Sequence, residues 1–452
     1  MGNTSNTQGI SSGRLDAGQY KQNFDDIHSP LDSHQASVEA SRCYFCFDAP
    51  CMTACPTSID IPLFIRQIAT GDTTGSAETI FQQNIMGGMC ARVCPTETLC
   101  EEACVRNECE EKPVKIGLLQ RFATDSYMDK DRHPFQRKAE TGKHVAVVGA
   151  GPAGLSCAHR LAAMGHEVTV YDAREKSGGL NEFGIASYKS TNNFAQAEVN
   201  FILSVGGIKI ENNTALGSDI ELDALRQDFD AVFLGMGMGG VNNLNLAGED
   251  VDGVMNAIDY IADLRQASDF SSLPVGRRVV VIGGGMTAVD IAVQTKLLGA
   301  EDVTLVYRRG QDQMKASVYE QQLANIKGVK IVQWAMPAEL ISEDNVVRAI
   351  RFDYATTDDQ GKLVATGEQF ELAADMVFKA IGQKFINSVF GDSESPDLNN
   401  NRMVVGDDRK TSLSNVWAGG DCIDGGEDLT VAAVEDGKVA AMSIDQYLKT
   451  DS

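Results

Sequence analysis

Positive charge is scarce in this sequence: 39 Lys and Arg stand against 63 Asp and Glu in 452 residues, a formal net charge of −24. A chain this acidic repels phosphate backbones and anionic bilayers, so nucleic acid and membrane surfaces are not expected as partners. Also missing is any uncharged apolar run near the roughly 18 residues of a membrane-crossing helix. The opening MGNTSNTQGISSG has neither the basic nor the apolar segment of a secretory signal. Asn6 stands where a myristoylation pattern needs Ser or Thr. A cytoplasmic location is expected. The six histidines show no ligand spacing and no Ser/His/Asp set can be read, so no side chain is assigned as catalytic. What remains is ordinary globular material, 43% hydrophobic and 23% charged, long enough for about three domains.

Cysteine is rare over most of the chain and dense in one place. Of eleven, nine fall between Cys43 and Cys109, leaving only Cys157 and Cys422 beyond. With no secretory signal, such a cluster points to metal or Fe–S ligation rather than to disulfides. Cys43, Cys46, Cys51 and Cys55 followed by Pro56 form C-x2-C-x4-C-x3-C-P. In two-cluster ferredoxins the analogous run sends its fourth cysteine to the other cluster. A second cluster then needs ligands from among Cys90, Cys94, Cys100, Cys104 and Cys109. Soft thiolates suit 4Fe–4S clusters. The alternative, a pair of four-thiolate zinc sites, is disfavoured because structural zinc usually pairs two knuckles of similar spacing. Cys157 and Cys422 read as buried thiols. No C-x-x-C lies in the later part of the chain, which argues against disulfide exchange.

From His144 the pattern becomes strand, Gly turn, helix, strand. HVAVV (144–148) suits a buried parallel strand. Gly149-Ala150-Gly151-Pro152-Ala153-Gly154 follows and opens a helix, where free N–H groups and the dipole favour a pyrophosphate. Asp172 ends the next strand, 23 residues after Gly149, in the place of a ribose-binding carboxylate. The unit recurs as RVVVI and Gly283-Gly284-Gly285-Met286-Thr287-Ala288. Here the second strand ends not in an acid but in Tyr307-Arg308-Arg309, with Lys315 close by. A 2′-phosphate calls for arginine where a 2′-hydroxyl calls for a carboxylate, so this lobe is expected to take NADPH rather than NADH. The competing explanation is that Arg308 and Arg309 form a solvated basic patch.

The expected fold is α/β: an N-terminal helical Fe–S domain, then two Rossmann-like nucleotide-binding lobes, the NAD(P) lobe inserted into the first. The expected divisions are a flexible leader (1–30), a helical double-cluster domain (31–135), the first part of the first lobe (141–255), a nicotinamide nucleotide domain (256–364) and the second part of the first lobe (365–452), the first lobe being the one to which the resemblance given next assigns FAD.

The cysteine array followed by GAGPAGL, GGGMTA, YRR, AIGQ and WAGGD resembles the small subunit of glutamate synthase and its relatives. These include the N-terminal half of dihydropyrimidine dehydrogenase and PreT-type bacterial subunits. DAPC, ARVCPTETLC and IGLLQRF are most similar to the dihydropyrimidine dehydrogenase branch. That resemblance implies Cys43, Cys46, Cys51 and Cys104 around one 4Fe–4S cluster, and Cys55, Cys94, Cys100 and Gln120 around the other. Cys90 and Cys109 are then spare. Gln120 discriminates, since the glutamate synthase branch has an acid there. The resemblance further implies that Gly149 to Gly154, Asp172, Gly179, Leu180, Lys189, Gly420, Asp421 and Thr430 surround FAD. Gly283 to Thr287, Arg308, Arg309, Lys315 and Gly382 are implied around the nicotinamide nucleotide. PreT-type subunits described as NAD-dependent resemble this chain in the Fe–S region, but its YRR favours the phosphorylated cofactor, so that label is not carried over.

The implied function is electron input: NADPH oxidised at FAD, and electrons passed through two clusters to an FMN-containing partner that reduces uracil or thymine. The alternatives are a glutamate synthase small subunit, a stand-alone NAD(P)H:ferredoxin-type oxidoreductase, and a metal-binding adaptor without redox function.

Overall fold

The computed structural model describes residues 9–130 and 132–450. They form two compact units. The larger comprises His28–Glu182, Asn192–Gly240 and Lys384–Ser452; the smaller comprises Met1–Ile27, Phe183–Thr191 and Val241–Gln383.

The larger unit begins with short helices whose starts are written in the sequence. Asp32, Asp60 and Asp72 each accept the backbone N–H three residues on, capping Ser33–Ala40, Ile61–Ala69 and Thr73–Gln83. Ile61, Phe64, Ile65 and Ile68 line one face of their helix at helical spacing and are buried. They share a core with Ile80, Phe81 and Leu119, the last on the helix Ile116–Met128. Past residue 143 the chain builds a five-stranded parallel sheet. Its order across is Val416–Ala418, Ala231–Leu234, His144–Val148, Glu167–Asp172, Ile208–Asn212.

One close contact ties the two ends of this sheet unit together. The C-terminal helix Thr430–Thr450 packs on Pro152–Ala163, the helix that follows the first Gly turn. A Cβ on Gly437 would stand 2.1 Å from the carbonyl oxygen of Ala153. Ser156 Oγ donates to Val434 O at 2.7 Å beside it. Glycine is required here for close approach of two backbones rather than for its dihedral freedom.

The smaller unit is a second five-stranded parallel sheet, ordered Lys330–Val332, Asp302–Val306, Arg278–Ile282, Met376–Lys379, Val254–Asn256. A three-stranded antiparallel meander, Ala335–Glu343, Val346–Thr357 and Leu363–Ala373, adds to it. Because Met376–Lys379 pairs with Arg278–Ile282, this lobe runs past residue 364 and reaches Gln383.

The flexible leader expected over residues 1–30 is corrected for its described part. Ile10–Ser11 pairs antiparallel with Val275–Gly276, and Ala17–Asn23 is a helix with a reciprocal Asp16/Gln19 capping box. Tyr20 and Phe24 are buried, which is what holds so polar a segment down. Residues 1–8 lie outside the described residues. Among the described residues no helix is long and apolar enough to cross a membrane.

Replacing Gly437 with Ala forces the two helices apart, and is expected to cost about 1–3 kcal/mol by overpacking. Denaturant unfolding of the variant should show a lowered midpoint with Ser156→Ala as a milder comparison.

Candidate functional site

The nine clustered cysteines are all free thiols. Cys43, Cys46, Cys51 and Cys104 lie near enough that each ionised thiol raises the cost of ionising another. All four line one pocket, together with Ile61 and Ile65. Burial first, and then Cys104, Cys43 and Cys46, push the Cys51 thiol up to about 12. Burial, offset in part by the Phe45 N–H, also raises Cys43.

Cys94 and Cys100 form a second gathering with Cys55. A hydrogen bond with Cys90, then burial, raises Cys94 well above the thiol range; burial and then Glu101 do the same for Cys100. Cys90 therefore adjoins this group, although the resemblance leaves it spare. Gln120 comes to the helix Gly87–Val93, which leads into Cys94: its Nε2 donates to Gly87 O at 2.7 Å, leaving the amide oxygen as its other polar end.

These donors fit iron–sulfur clusters. Thiols packed together in apolar surroundings hold their protons until a cationic core compensates the charge, so ligation and proton release go together. Among the described residues no three His, Cys, Asp or Glu side chains converge on one ion.

Several contacts that bind this region to the sheet are not legible in any motif. Cys55 Sγ meets Thr57 Oγ1 at 3.3 Å, and Thr57 O accepts Lys438 Nζ of the C-terminal helix at 3.2 Å. Glu198, on the helix Phe194–Leu203, accepts the Met89 N–H at 2.9 Å. Its other oxygen is buried with no partner among the described residues. Burial pushes Glu198 up to about 8, against the lowering effect of the Met89 N–H, Arg92 and the Gly88 N–H, and with Asp125 adding to the rise. Arg92 itself stacks on Phe194, 3.4 Å from the ring centre, and pairs with Asp125 at 2.9 Å. A Cβ on Gly88 would meet Phe194 at 2.6 Å.

The first Gly turn has the geometry of a phosphate cradle. Gly149 has φ +101°, and a Cβ there would stand 2.4 Å from Gly235 O. Gly151 caps a twelve-residue helix, and the nearest atom to a Cβ on it is Gly179 Cα at 3.7 Å. Asp172 Oδ2 accepts the Ala150 N–H at 2.6 Å and Oδ1 the Arg174 N–H at 2.8 Å. Burial still holds its carboxyl above the usual range. Gly420 comes to this turn from far along the chain: a Cβ on it would lie 3.4 Å from Ala153 Cβ. Its N–H is held by Asp436 Oδ2 at 2.8 Å, and Arg409 Nε donates to Asp436 Oδ1 at 2.8 Å. Burial, then Asp428, raises Asp421 to about 6. Thr430 donates to Asn181 Oδ1 at 2.7 Å, beside Gly179 and Leu180. The larger unit thus brings together every residue expected round FAD except Lys189. That lysine belongs to the smaller unit, between Asp290 at 2.8 Å and Glu320 at 2.7 Å. Burial opposes its charge, and the two carboxylates more than offset the opposition.

In the smaller unit Gly283 (φ +152°) packs against Ala380 O, and Gly284 against the ring of Tyr307. Gly285 caps the helix Met286–Leu297, and a Cβ on it would meet nothing within 4 Å. That open space at a helix N-terminus suits a pyrophosphate. Ala316 N–H bonds to Gly284 O at 3.0 Å, which draws Lys315 toward the turn. Arg308, Arg309 and Lys315 are exposed, and none forms an ion pair among the described residues. Gly382 (φ +91°) lies beside Asn242, whose N–H donates to Gly382 O at 3.1 Å.

Residues 20–132 match the family described as dihydropyrimidine dehydrogenase domain II, 4Fe–4S cluster, and residues 143–437 match pyridine nucleotide-disulphide oxidoreductase. The chain is 35% identical to the NAD-dependent dihydropyrimidine dehydrogenase subunit PreT of Escherichia coli, over 95% of this chain and 98% of that protein. It is 33% identical to the glutamate synthase [NADPH] small chain of the same organism, over 95% of each. In fold it resembles Mycobacterium tuberculosis FprA in complex with NADPH, at TM-score 0.57 and 18% identity, over 68% of this chain and 85% of that one.

Glu198 binds a proton in the folded chain at pH values where the unfolded chain does not, so its contribution to stability is full below about 4.5 and lost as pH rises through about 8. Glu198→Gln should flatten the fall in unfolding free energy of the cluster-free chain between pH 5.5 and 8.5, measured by urea titration at both ends of that window. An unchanged slope would remove Glu198 as its source.

Proposed function

The chain belongs to the pyridine nucleotide-disulphide oxidoreductase family, in the group that includes PreT and the glutamate synthase small chain, and on that premise we propose that it is the electron-input subunit of a dihydropyrimidine dehydrogenase-type complex. It oxidises NADPH and supplies electrons to an FMN-containing partner that reduces uracil or thymine. The observation that carries this reading is the gathering of seven cysteines into two thiol groups in the unit that holds the first Gly turn, with Gln120 bonded to the helix that leads into Cys94. Its coarser form, an NAD(P)H-dependent flavin and iron–sulfur oxidoreductase subunit, follows from the family.

When bound, FAD supplies the exchange between a two-electron hydride and single electrons, and 4Fe–4S clusters supply one-electron steps. The chain's own residues do the rest. In the turn Gly149 to Gly154, the N–H groups of Gly151, Ala153 and Gly154 are left for a pyrophosphate, and Asp172 takes the ribose. Gly179, Leu180, Gly420, Asp421 and Thr430 complete that site. Gly283 to Thr287 cradle the nicotinamide nucleotide's pyrophosphate, with Gly382 opposite. Arg308, Arg309 and Lys315 take its 2′-phosphate, because they are exposed cations with no carboxylate already claiming them. Cys55, Cys94, Cys100 and Gln120 hold the cluster nearer the flavin sheet, since Thr57 and the helix Gly87–Val93 are bonded into that sheet's helices. Cys43, Cys46, Cys51 and Cys104 hold the outer one. The compartment is the cytoplasm.

A second reading, glutamate synthase small chain, has the specific support of 33% identity over 95% of each chain. Gln120 favours the first. A co-purified partner distinguishes them: FMN with uracil-dependent NADPH oxidation supports the first, glutamine-dependent NADPH oxidation the second.

Anaerobic NADPH should bleach the absorbance of both flavin and clusters in the reconstituted chain; flavin bleaching alone, or none, contradicts the reading. Arg308→Ala should raise KM for NADPH about 10- to 100-fold while leaving that for NADH nearly unchanged, as loss of a charge-assisted phosphate contact demands. A Gln120→Glu variant adds a negative charge to one cluster's surroundings, so potentiometric titration should show that cluster harder to reduce.

A further inference from the structure

Large apolar side chains left in solvent are unevenly placed. Among the described residues, Tyr44 and Phe47, on either side of Cys46 in the outer thiol run, are both exposed. Phe47 follows Cys46 directly and is 102% exposed, the most exposed of any such side chain. Tyr44, between Cys43 and Cys46, lines the same pocket as the four outer thiols. It is fixed as well as exposed: its hydroxyl donates to Glu110 at 3.2 Å, and the Arg106 guanidinium stands 4.1 Å from its ring centre. Phe45 is covered from the other side by Arg66, 4.8 Å from its ring centre.

The charge around these rings is one-sided. Residues 97–111 contain six glutamates and one base, Arg106. Asp48, Glu102, Glu108, Glu110 and Glu111 are exposed, against exposed Arg66, Lys112 and Lys115. Arg42 and Arg106 are half-buried and already paired with Glu39 and Glu110. The exposed charge is therefore negative on balance. Two exposed rings, one of them held in place, beside a largely acidic run and a thiol pocket match the anatomy of a protein interface: apolar at its centre, charged at its edge.

We propose that the surface carrying Tyr44 and Phe47 is where the electron acceptor docks, and that the acceptor is a protein whose own redox centre lies near its surface within a ring of basic side chains. This rests on the electron-input reading above. Each transfer oxidises this chain by one electron and reduces the acceptor by one; no bond forms or breaks and no proton moves. Acidic rim and basic ring steer the encounter, while Phe47 and Tyr44 fix the distance of closest approach.

The test uses the full-length, cluster-loaded chain and a lysine-ringed cytochrome c as the probe, with an acidic plant-type ferredoxin as its opposite. Binding of the oxidised cytochrome, measured by interferometry, should weaken about tenfold in Phe47→Ala. It should also weaken as ionic strength rises from about 0.01 to about 0.15 M, where the Debye length falls from ~30 to ~8 Å. Val318→Ala, at an exposed residue of the other unit, should bind as the parent does. Cytochrome reduction after mixing with NADPH should fall in parallel, while the NADPH-dependent bleaching of the Phe47 variant stays that of the parent. Binding unchanged in Phe47→Ala, or ferredoxin bound more tightly than cytochrome c, overturns the docking surface. Failure of the unsubstituted chain to bleach with NADPH overturns the electron-input reading instead, and the binding arm still decides the surface.

Discussion

Soft donors crowded into apolar surroundings cannot all carry charge unless something cationic lies among them. That constraint organises the amino-terminal third of this protein. Burial and then neighbouring thiols push Cys51 up, burial and then Glu101 push Cys100 up, and a hydrogen bond with Cys90, then burial, pushes Cys94 up. The helices that present them are short, four to thirteen residues, and are started by aspartate caps and prolines rather than by long apolar faces. Cluster binding would add folding free energy to the core these helices already share. The arrangement also separates two jobs. One thiol group is bonded into the helices of the flavin sheet through Thr57 and Met89, and the other opens beside Tyr44 and Phe47.

The two parallel sheets repeat one solution for nucleotides with different charge. In the first lobe Asp172 ends the second strand and already accepts the Ala150 and Arg174 N–H groups, so it both shapes the turn and offers a carboxylate to a ribose. In the second, the matching position carries Arg308 and Arg309, exposed in a chain that pairs most of its other arginines. Arg308, Arg309 and Lys315 stay exposed with no ion pair among the described residues, in a chain of net charge −24.

What could be read from the sequence is what local spacing encodes. The Gly turns, their strands, the helices near Pro62, Ala77 and Lys115, and the cysteine spacing all depend on neighbours within a few residues. The contacts that join these pieces do not. Gly437 against Ala153, Lys438 on Thr57 and Glu198 on Met89 each link segments more than a hundred residues apart, and nothing at either end signals the other. The meander over residues 335–373 went unread because its strands alternate weakly and its faces are largely exposed. The leader shows no period because the described residues it buries, Ile10, Tyr20 and Phe24, are few and unevenly spaced. Lys189, carried over from the resemblance alone, is held by Asp290 and Glu320, a pairing invisible to any motif.

The central claim is that this one chain holds two iron–sulfur clusters. Iron and acid-labile sulfide measured on anaerobically purified protein test it most directly. The account predicts about eight of each per chain, the content of two 4Fe–4S clusters; about four of each, or zinc in place of iron, would contradict it.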